Sequence, residues 1–248
     1  MIDNTSAFRY CEKTPLVVTE VNAGDIKDYD ETGIIANPNC STIQMVVALK
    51  PIHDMAEVTR VNVATYQAVS GTGKSGLEEL AVQTGNILNA RPVESAVYPK
   101  QIAFNCIPQI DEFLENGYTR EEMKMVWETK KIMSCPSIQV NATAVRVPVF
   151  FGHSEAVHIE TSRKITSAQV VKALKKAPGV SVVDVRQDGG YPTSVTEAVD
   201  KDDVFVGRIR EDISHPSGIN MWVVSDNVRK GAALNSIQIA ELLIQDHL

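Results

Sequence analysis

The 248 residues carry a net charge of −7 and are 44% hydrophobic and 22% charged, enough apolar sequence to bury the core of one large domain or two modest ones. The acidic balance argues against nucleic-acid binding, and no apolar run approaches the ~20 residues that a membrane span needs. No secretory signal is visible, and the four cysteines lie far apart. We therefore expect a cytoplasmic protein with reduced thiols and neither a disulfide framework nor a metal site.

The first third of the chain predicts several short strands before the first long helix. A strand begins at once, LVV (16–18) forms a second extended segment, and GIIAN (33–37) forms a third. Strands without helices of their own suggest the last part of a larger parallel sheet. An apolar helix should then begin at Cys40 and end at Lys50, because Pro51 disfavours its continuation.

The rest of the chain alternates strands and helices. A capping box formed by Thr119 and Glu122 predicts a helix from about Arg120 to Met133. Strand 140–150 should turn Arg146 to the same face as Ala144 and Pro148. The other predicted strands are 58–69, 156–161, 203–210 and 220–226, and the other helices follow the Gly/Ser turn at 70–76, span 166–179, and run from about Lys230 to His247. This order favours an α+β or α/β fold with a mixed sheet.

Cys40 lies at a junction between a strand and a helix, in the sequence NPNCST (37–42). The positive end of a helix dipole should lower the pKa of a thiol there, and unpaired backbone N–H groups could hold an oxyanion. A small buried cysteine at a strand end is the alternative.

Other residues have weaker signals. His153 follows a Phe-Phe-Gly turn and could reach a cleft, although a surface histidine is the simpler interpretation. Glu121, Lys124 and Glu128 share one face of the helix predicted from Arg120, opposite Met123, Val126 and Trp127, which suggests a solvated ion-pair face. The SGTGKSG loop resembles a phosphate-binding loop only loosely.

Taken together, these segments resemble the aspartate-semialdehyde dehydrogenases of bacteria over essentially the whole chain. The segment around Cys40 is the most specific, because the related N-acetylglutamyl-phosphate reductases have a different pattern there. The segments that carry the resemblance are DNTSAFR (3–9), PLVVTEVN (15–22), ANPNCSTIQ (36–44), TYQAVSGTGKSGLEEL (65–80), EEMKMVWETKKI (121–132), VRVPVFFGHSE (145–155) and DNVRKGAALNSIQIAE (226–241).

The resemblance implies a fold and a reaction. The fold would be a catalytic domain like that of glyceraldehyde-3-phosphate dehydrogenase, plus the remaining part of a Rossmann-type NADP domain. Residues 1–38 would belong to the nucleotide domain, 39–225 to the catalytic and dimerisation domain, and 226–248 to a C-terminal helix that returns to the nucleotide domain. The reaction would be the reversible conversion of aspartyl phosphate to aspartate semialdehyde, with NADP as cofactor and a thioester on Cys40, in lysine, methionine and threonine biosynthesis.

The resemblance also assigns roles to residues. The thiol of Cys40 would attack the aldehyde, hydride would pass to NADP, and phosphate would cleave the resulting thioester, with His153 as general acid/base and Gln67 orienting the substrate. The remaining roles are substrate binding by Arg146 and Glu121, phosphate binding by Arg9, Lys124 and Asn39, and contact with the nicotinamide end of the cofactor by Ser70, Gly71 and Asn227.

The resemblance further implies a homodimer, with no nucleic-acid or membrane partner. The family's glycine-rich nucleotide-binding segment has no counterpart before Ile2, so we expect the sequence to be a fragment of a longer enzyme. Two alternatives remain open: a catalytic and dimerisation domain without competent cofactor binding, and a Cys–His hydrolase or acyltransferase that needs no nicotinamide.

Overall fold

A computed structural model describes residues 1–246, which form eight strands and six α-helices with short 3₁₀ and π segments between them. The strands are β1 (Ile2–Asp3), β2 (Ile35–Ala36), β3 (Val58–Gln67), β4 (Gln139–Arg146), β5 (His153–Thr161), β6 (Val180–Val182), β7 (Val204–Glu211) and β8 (Gly218–Ser225). The α-helices are α1 (Thr19–Asn22), α2 (Cys40–Ala56), α3 (Lys74–Leu88), α4 (Arg120–Ile132), α5 (Ser167–Leu174) and α6 (Leu234–Asp246).

Six strands form one mixed sheet in the order β4-β3-β5-β8-β7-β6. Strands β3 and β4 are parallel, as are β6 and β7, whereas the three central pairs are antiparallel. The predicted α+β class with a mixed sheet is therefore confirmed. It follows from β-branched strands that alternate along the chain with amphipathic helices.

One face of this sheet is buried beneath helices. In β3, Val61 and Val63 are buried whereas Asn62 and Ala64 are only partly covered, the period of two that a strand produces. Helix α2 packs on the buried face against β5 and β8, with α4 and α5 beside it. The start of α2 is thereby fixed at one end of the sheet.

The prediction that α2 ends before Pro51 is wrong, because the helix continues to Ala56. Ile52 and Ala56, beyond the proline, are both buried in the main core. Burial of these two side chains offsets the backbone hydrogen bond that proline cannot donate.

The N-terminal strands form a separate small sheet. Strand β1 pairs in parallel with β2, and Leu16 bridges the other side of β2 at Ala36, as the sequence indicated. Ile239 of α6 packs against Val17 and Ile35 of this small sheet. That contact is consistent with a C-terminal helix that returns to the N-terminal unit, but the division at 38 and 225 stays a prediction.

Several helices and strands begin or end at other residues than predicted. Strand β4 ends at Arg146, so Pro148 and residues up to 150 are not part of a strand, and β5 begins at His153, earlier than predicted. Helix α5 ends at Leu174, and α6 is preceded by a π-helical turn, Arg229–Ala233. The predicted helix end at His247 lies outside the described residues. Within residues 1–246 no helix is both long and apolar enough to cross a bilayer.

Candidate active site

Cys40 is the first residue of α2, directly after the N-cap Asn39. The Asn39 side chain accepts hydrogen bonds from the backbone N–H of Ser41 (3.0 Å) and of Thr42 (3.3 Å). The expectation that these N–H groups are free for an oxyanion is therefore wrong for these two donors, because an asparagine cap satisfies them. The cap fixes the helix end that carries the thiol.

The predicted low pKa of Cys40 is also wrong. Burial, and then the negative charge of Glu121, raise the pKa of the thiol to about 12, while Arg146, the Ser41 N–H and Arg9 act in the opposite direction. The helix end alone does not compensate for the loss of water and a nearby carboxylate. The thiol is therefore protonated at neutral pH until the surroundings change.

Glu121 is the centre of a buried hydrogen-bond network at the mouth of this helix. Its Oε1 accepts from Asn39 Nδ2 (2.9 Å) and from Gln67 Nε2 (3.2 Å), and its Oε2 accepts from Lys124 Nζ (3.1 Å). Only 5% of Glu121 is exposed, so the predicted solvated ion-pair face of α4 is wrong. The partners satisfy a carboxylate that would otherwise be unstable inside the protein.

Glu128 lies two turns further along the same face of α4 and is completely buried. By contrast, 39% of Trp127, which was assigned to the apolar face, is exposed. The helix turns its carboxylates inward because Met125 and Ile132, on the same side, enter the main core. The spacing of Glu121 and Glu128 identified their common face, but the sequence did not show that this face is buried.

Two basic side chains reach the same region, each held by an acidic partner. Arg9 Nη1 lies 3.1 Å from Glu128 Oε1, and Lys124 Nζ lies 2.8 Å from Asp111 Oδ2 and 3.1 Å from Glu121 Oε2. Burial lowers the pKa of Lys124, but its two carboxylate partners outweigh this and raise the pKa overall. Lys124 is therefore charged at neutral pH, and both side chains are oriented by their carboxylate partners.

Arg146 and His153 lie beside Gly71. Arg146 Nη1 donates to the backbone oxygen of Ala68 (2.7 Å), and His153 Nδ1 accepts from the Ala68 N–H (3.0 Å). A neutral His153 ring therefore carries its proton on Nε2, a buried atom with no partner in the described part of the chain. Burial, and then Arg146, lower the pKa of His153 well below its usual value. The ring is neutral at physiological pH, and its burial rules out the surface histidine.

Gly71 is required by this packing. A Cβ atom at Gly71 would lie 2.8 Å from Arg146 Nη1 and 3.4 Å from His153 Nε2. Such a contact would force the guanidinium to move, so the bare backbone at Gly71 allows Arg146 to reach the Ala68 carbonyl oxygen at this wall.

Ser70 and Asn227 contact each other directly. Asn227 Oδ1 accepts from Ser70 Oγ (3.0 Å) and from the backbone N–H of Gly152 (2.9 Å). The Asn227 amide thus joins the loop before α3, the loop before β5 and the C-terminal segment. No feature of Ser70 or Asn227 alone predicted this pairing.

A cleft of about 400 Å³ opens over the thiol. Most of the predicted site residues line it, namely Arg9, Asn39, Cys40, Gln67, Gly71, Glu121, Lys124 and Arg146. His153, Ser70 and Asn227 do not form part of this lining. Asp111 and Glu128, which hold the two basic side chains, were not singled out as site residues from the sequence.

Comparison with known proteins identifies the class. Residues 49–230 match the family described as semialdehyde dehydrogenase, dimerisation domain. The mixed sheet and the thiol cleft are thus those of a semialdehyde dehydrogenase.

Individual relatives narrow the class to one family. Aspartate-semialdehyde dehydrogenase from Legionella pneumophila is 60% identical over 248 residues, which are 100% of this chain and 72% of the relative. The crystal structure of aspartate semialdehyde dehydrogenase II from Vibrio cholerae, complexed with ASA, superposes with a TM-score of 0.97 at 59% identity, covering 100% of this chain and 73% of that one. The enzyme from Candida albicans, solved with NADP, has a TM-score of 0.73 at 27% identity, covering 98% and 70% of the two chains. The chain belongs to the aspartate-semialdehyde dehydrogenase family.

Proposed function

We propose that the chain catalyses the reversible, NADP-dependent reductive dephosphorylation of aspartyl phosphate to aspartate semialdehyde in the biosynthesis of lysine, methionine and threonine. One observation carries the proposal: the Cys40 thiol at the floor of a cleft lined by Arg9, Lys124, Arg146 and Glu121. The lining also includes Asp111, which pairs with Lys124. The nucleophile, the three cations and the Glu121 carboxylate match a substrate with an aldehyde, a carboxylate and an ammonium group, together with phosphate. The relatives from V. cholerae and C. albicans, solved with ASA and with NADP, support the substrate and the cofactor.

The substrate is bound at both ends. Arg146 pairs with the substrate carboxylate through the guanidinium edge that is not engaged with Ala68, and Glu121 faces the substrate ammonium. Gln67, fixed by its hydrogen bond to Glu121, orients the reacting carbonyl over the thiol. An ammonium beside Glu121 also offsets the charge that raises the pKa of Cys40, so substrate binding favours the thiolate.

The covalent steps take place on Cys40. The sulfur bonds to the aldehyde carbon to give a hemithioacetal, and loss of hydride and of the hydroxyl proton leaves a thioester. An oxygen of phosphate, held by Arg9, Lys124 and Asn39, then attacks the thioester carbonyl, and the thiolate leaves as aspartyl phosphate forms. His153 is the proposed acid/base group for the hemithioacetal. Its unpaired Nε2–H can donate to the hemithioacetal oxygen, whereas accepting the hydroxyl proton requires the other tautomer, with the ring proton on Nδ1.

NADP, when bound, supplies the hydride acceptor. The residues fit its nicotinamide end, because Gly71 presents exposed backbone beside Arg146 and His153. The hydroxyl of Ser70 and the amide of Asn227, held together by a 3.0 Å hydrogen bond, provide polar groups at the same wall. The chain's own contribution is thus to align the nicotinamide ring and to exclude water from the face of the thioester.

The enzyme is proposed to be a cytoplasmic homodimer, whose catalytic unit spans residues 39–225. The family match to a dimerisation domain supports the dimer. Membranes and nucleic acids are not among its proposed partners.

The proposal is tested by NADPH formation from aspartate semialdehyde, NADP and phosphate. The 248-residue chain should reduce NADP only when phosphate is present, and Cys40→Ser, a nearly isosteric control, should be inactive. Turnover by Cys40→Ser would exclude the thioester route. A folded wild-type chain without turnover, in which phosphate still protects Cys40 from iodoacetamide, would instead favour a catalytic domain without competent cofactor binding.

A further inference from the structure

Glu128 is a completely buried carboxylate that joins two separate parts of the cleft. Its Oε1 accepts from Arg9 Nη1 (3.1 Å), and its Oε2 accepts from the backbone N–H of Asn39 (2.7 Å). Arg9 belongs to the N-terminal segment, and Asn39 caps the helix that begins with Cys40. One carboxylate on α4 therefore sets the position of a cation relative to the nucleophile.

Helix α4 also holds the backbone around Arg9. Lys131 Nζ donates to the carbonyl oxygens of Arg9 (3.0 Å), Cys11 (2.7 Å) and Thr14 (2.7 Å). The ring of Tyr10 packs edge-on against Trp127, with 5.2 Å between the ring centroids. The Tyr10 hydroxyl also donates to Glu128 Oε1 (3.4 Å), but the three Lys131 hydrogen bonds hold the main chain of the segment. The direction of the Arg9 guanidinium is therefore the feature that depends most directly on Glu128.

Arg9 is incompletely satisfied by the protein itself. Its Nη2 donates to the backbone oxygen of Asn4 (3.1 Å), but its buried Nε has no partner within the described residues. The Arg9 side chain nevertheless lines the cleft, so its guanidinium can meet an anion that binds there.

Arg9 and the Asn39 N–H favour the charged form of Glu128. Burial raises the pKa of Glu128, whereas Arg9 and the Asn39 N–H act against that rise. A buried ion pair contributes little net stability compared with apolar side chains of the same volume. Stability alone therefore gives no reason for a carboxylate at this position.

We infer that Glu128 is a positioning residue that aims the Arg9 guanidinium at a phosphate lying against the Cys40 end of α2. The inference rests on the proposed function, because it deepens the phosphate site of that reaction. Glu128 acts through Arg9 and is not part of the cleft lining, whereas Glu121 lines the cleft itself.

The test is a titration of the 248-residue chain with inorganic phosphate, followed by ³¹P NMR in a phosphate-free buffer. Glu128→Gln keeps the shape of the side chain, but its amide has only one accepting oxygen, whereas Arg9, Tyr10 and the Asn39 N–H all donate to Glu128. Its phosphate affinity should fall roughly ten- to hundredfold, as expected when a supporting contact is lost. Glu128→Asp, which keeps the charge but is one methylene shorter, should bind phosphate with intermediate affinity and serves if Glu128→Gln does not fold.

Glu122→Gln is the matched control. Glu122 is also a buried glutamate of α4 that accepts from two backbone N–H groups, those of Thr119 (2.7 Å) and Ala144 (2.9 Å). This substitution should lower stability as Glu128→Gln does, but it should leave phosphate affinity unchanged. Arg9→Gln should lower the affinity by itself, and adding Glu128→Gln to it should cause no further loss.

The outcomes separate the two proposals. A wild-type chain that binds no phosphate overturns the phosphate site and the inference with it. If the wild type binds phosphate but Glu128→Gln binds equally well, or Glu122→Gln loses as much affinity, the site stands and the role of Glu128 is refuted. The role of Glu128 would also be refuted if Glu128→Gln lowered phosphate affinity as much in the Arg9→Gln variant as it does in the wild type.

Discussion

At the scale of single residues, the charge of Cys40 is controlled by its neighbours more than by its position on a helix. The N-terminal position was the reason to predict a reactive thiol, and the structure retains that position. Burial and Glu121 nevertheless raise the pKa to about 12. Reactivity in the free chain is therefore limited by the small fraction of thiolate.

Replacing Glu121 by glutamine should make Cys40 more reactive in the absence of substrate. The change removes the second-largest cause of the raised pKa, and each unit by which the pKa falls increases the thiolate fraction about tenfold below the pKa. The measurement is the rate of iodoacetamide alkylation of Cys40 between pH 7 and 9, read by mass spectrometry. Glu122→Gln, on the same helix, should leave the rate unchanged. A slower reaction of Glu121→Gln would mean that the carboxylate assists the thiolate instead of opposing it.

A second prediction concerns Glu155, a fully buried carboxyl group on β5. Burial raises its pKa well above the usual value, and the nearby Gln44 opposes the rise only in part. Because the folded-state pKa exceeds the unfolded one, its stabilising contribution is present below about pH 4.5 and is lost as pH rises toward the folded-state pKa. Glu155→Gln is neutral at every pH and should avoid that loss.

The difference in free energy of unfolding between Glu155→Gln and wild type should therefore grow with pH, by up to about 1.4 kcal/mol per pH unit above pH 4.5. Urea unfolding of both proteins at pH 5, 6.5 and 8 measures it. A difference that is constant across this range would mean that Glu155 ionises in the folded state as readily as in the unfolded one.

At the scale of elements, local sequence signals predicted the helix starts and strands that local interactions determine. The capping box of Thr119 and Glu122 located the start of α4, and the β-branched residues of 58–69 located β3. The sequence could not show that α2 passes Pro51, because that depends on core contacts of Ile52 and Ala56. The inward face of α4 also depends on tertiary packing, since Glu121 and Glu128 are buried only where other segments supply their partners.

The site itself was largely predicted through the resemblance. Most of its assigned residues line one cleft, but their roles remain proposals. Asp111 and Glu128 were not predicted to take part, because an acidic residue that holds a cation has no sequence signal apart from the fold. The asparagine cap at Asn39 explains why the oxyanion donors expected at the helix end were assigned incorrectly.

The π-helical turn Arg229–Ala233 packs against the first residue of α2, and this contact yields a prediction about element packing. A Cβ at Gly231 would lie 2.6 Å from the Cβ of Cys40. Gly231→Ala should displace the helix end, lower activity and alkylation of Cys40 about tenfold or more, and cost about 1–3 kcal/mol of stability.

Gly85→Ala is the control for Gly231→Ala, because Gly85 lies on α3 and an added Cβ there meets no atom within 4 Å. It should raise the free energy of unfolding by up to about 1 kcal/mol and leave Cys40 unaffected. Urea unfolding and alkylation rates compare the two variants. If Cys40 were alkylated at the wild-type rate in Gly231→Ala, the contact of this turn with α2 would have no influence on the thiol.

At the scale of the whole molecule, the six-stranded sheet has one face covered by helices and one face only partly covered. On the second face Tyr66 and Trp222 lie in contact, with ring centroids 5.5 Å apart, and 37% of Tyr66 is exposed. Aromatic side chains that are exposed on a broad sheet are typical of a surface that a second protein covers. A second copy of the chain fits the family match to a dimerisation domain.

Tyr66→Glu should therefore weaken the proposed dimer about a hundredfold or more, because an unpaired carboxylate would be buried between two sheets. Sedimentation velocity over a range of protein concentrations measures the dissociation constant. The control is Ile237→Glu, which introduces the same charge on α6 at a side chain that is 53% exposed. Helix α6 packs against α1 and β1 of the N-terminal unit. Ile237→Glu should dimerise like the wild type. If both variants dimerise equally, or if the wild type is a monomer, the partly covered sheet face is not the dimer interface and Tyr66 and Trp222 contact solvent in the native protein.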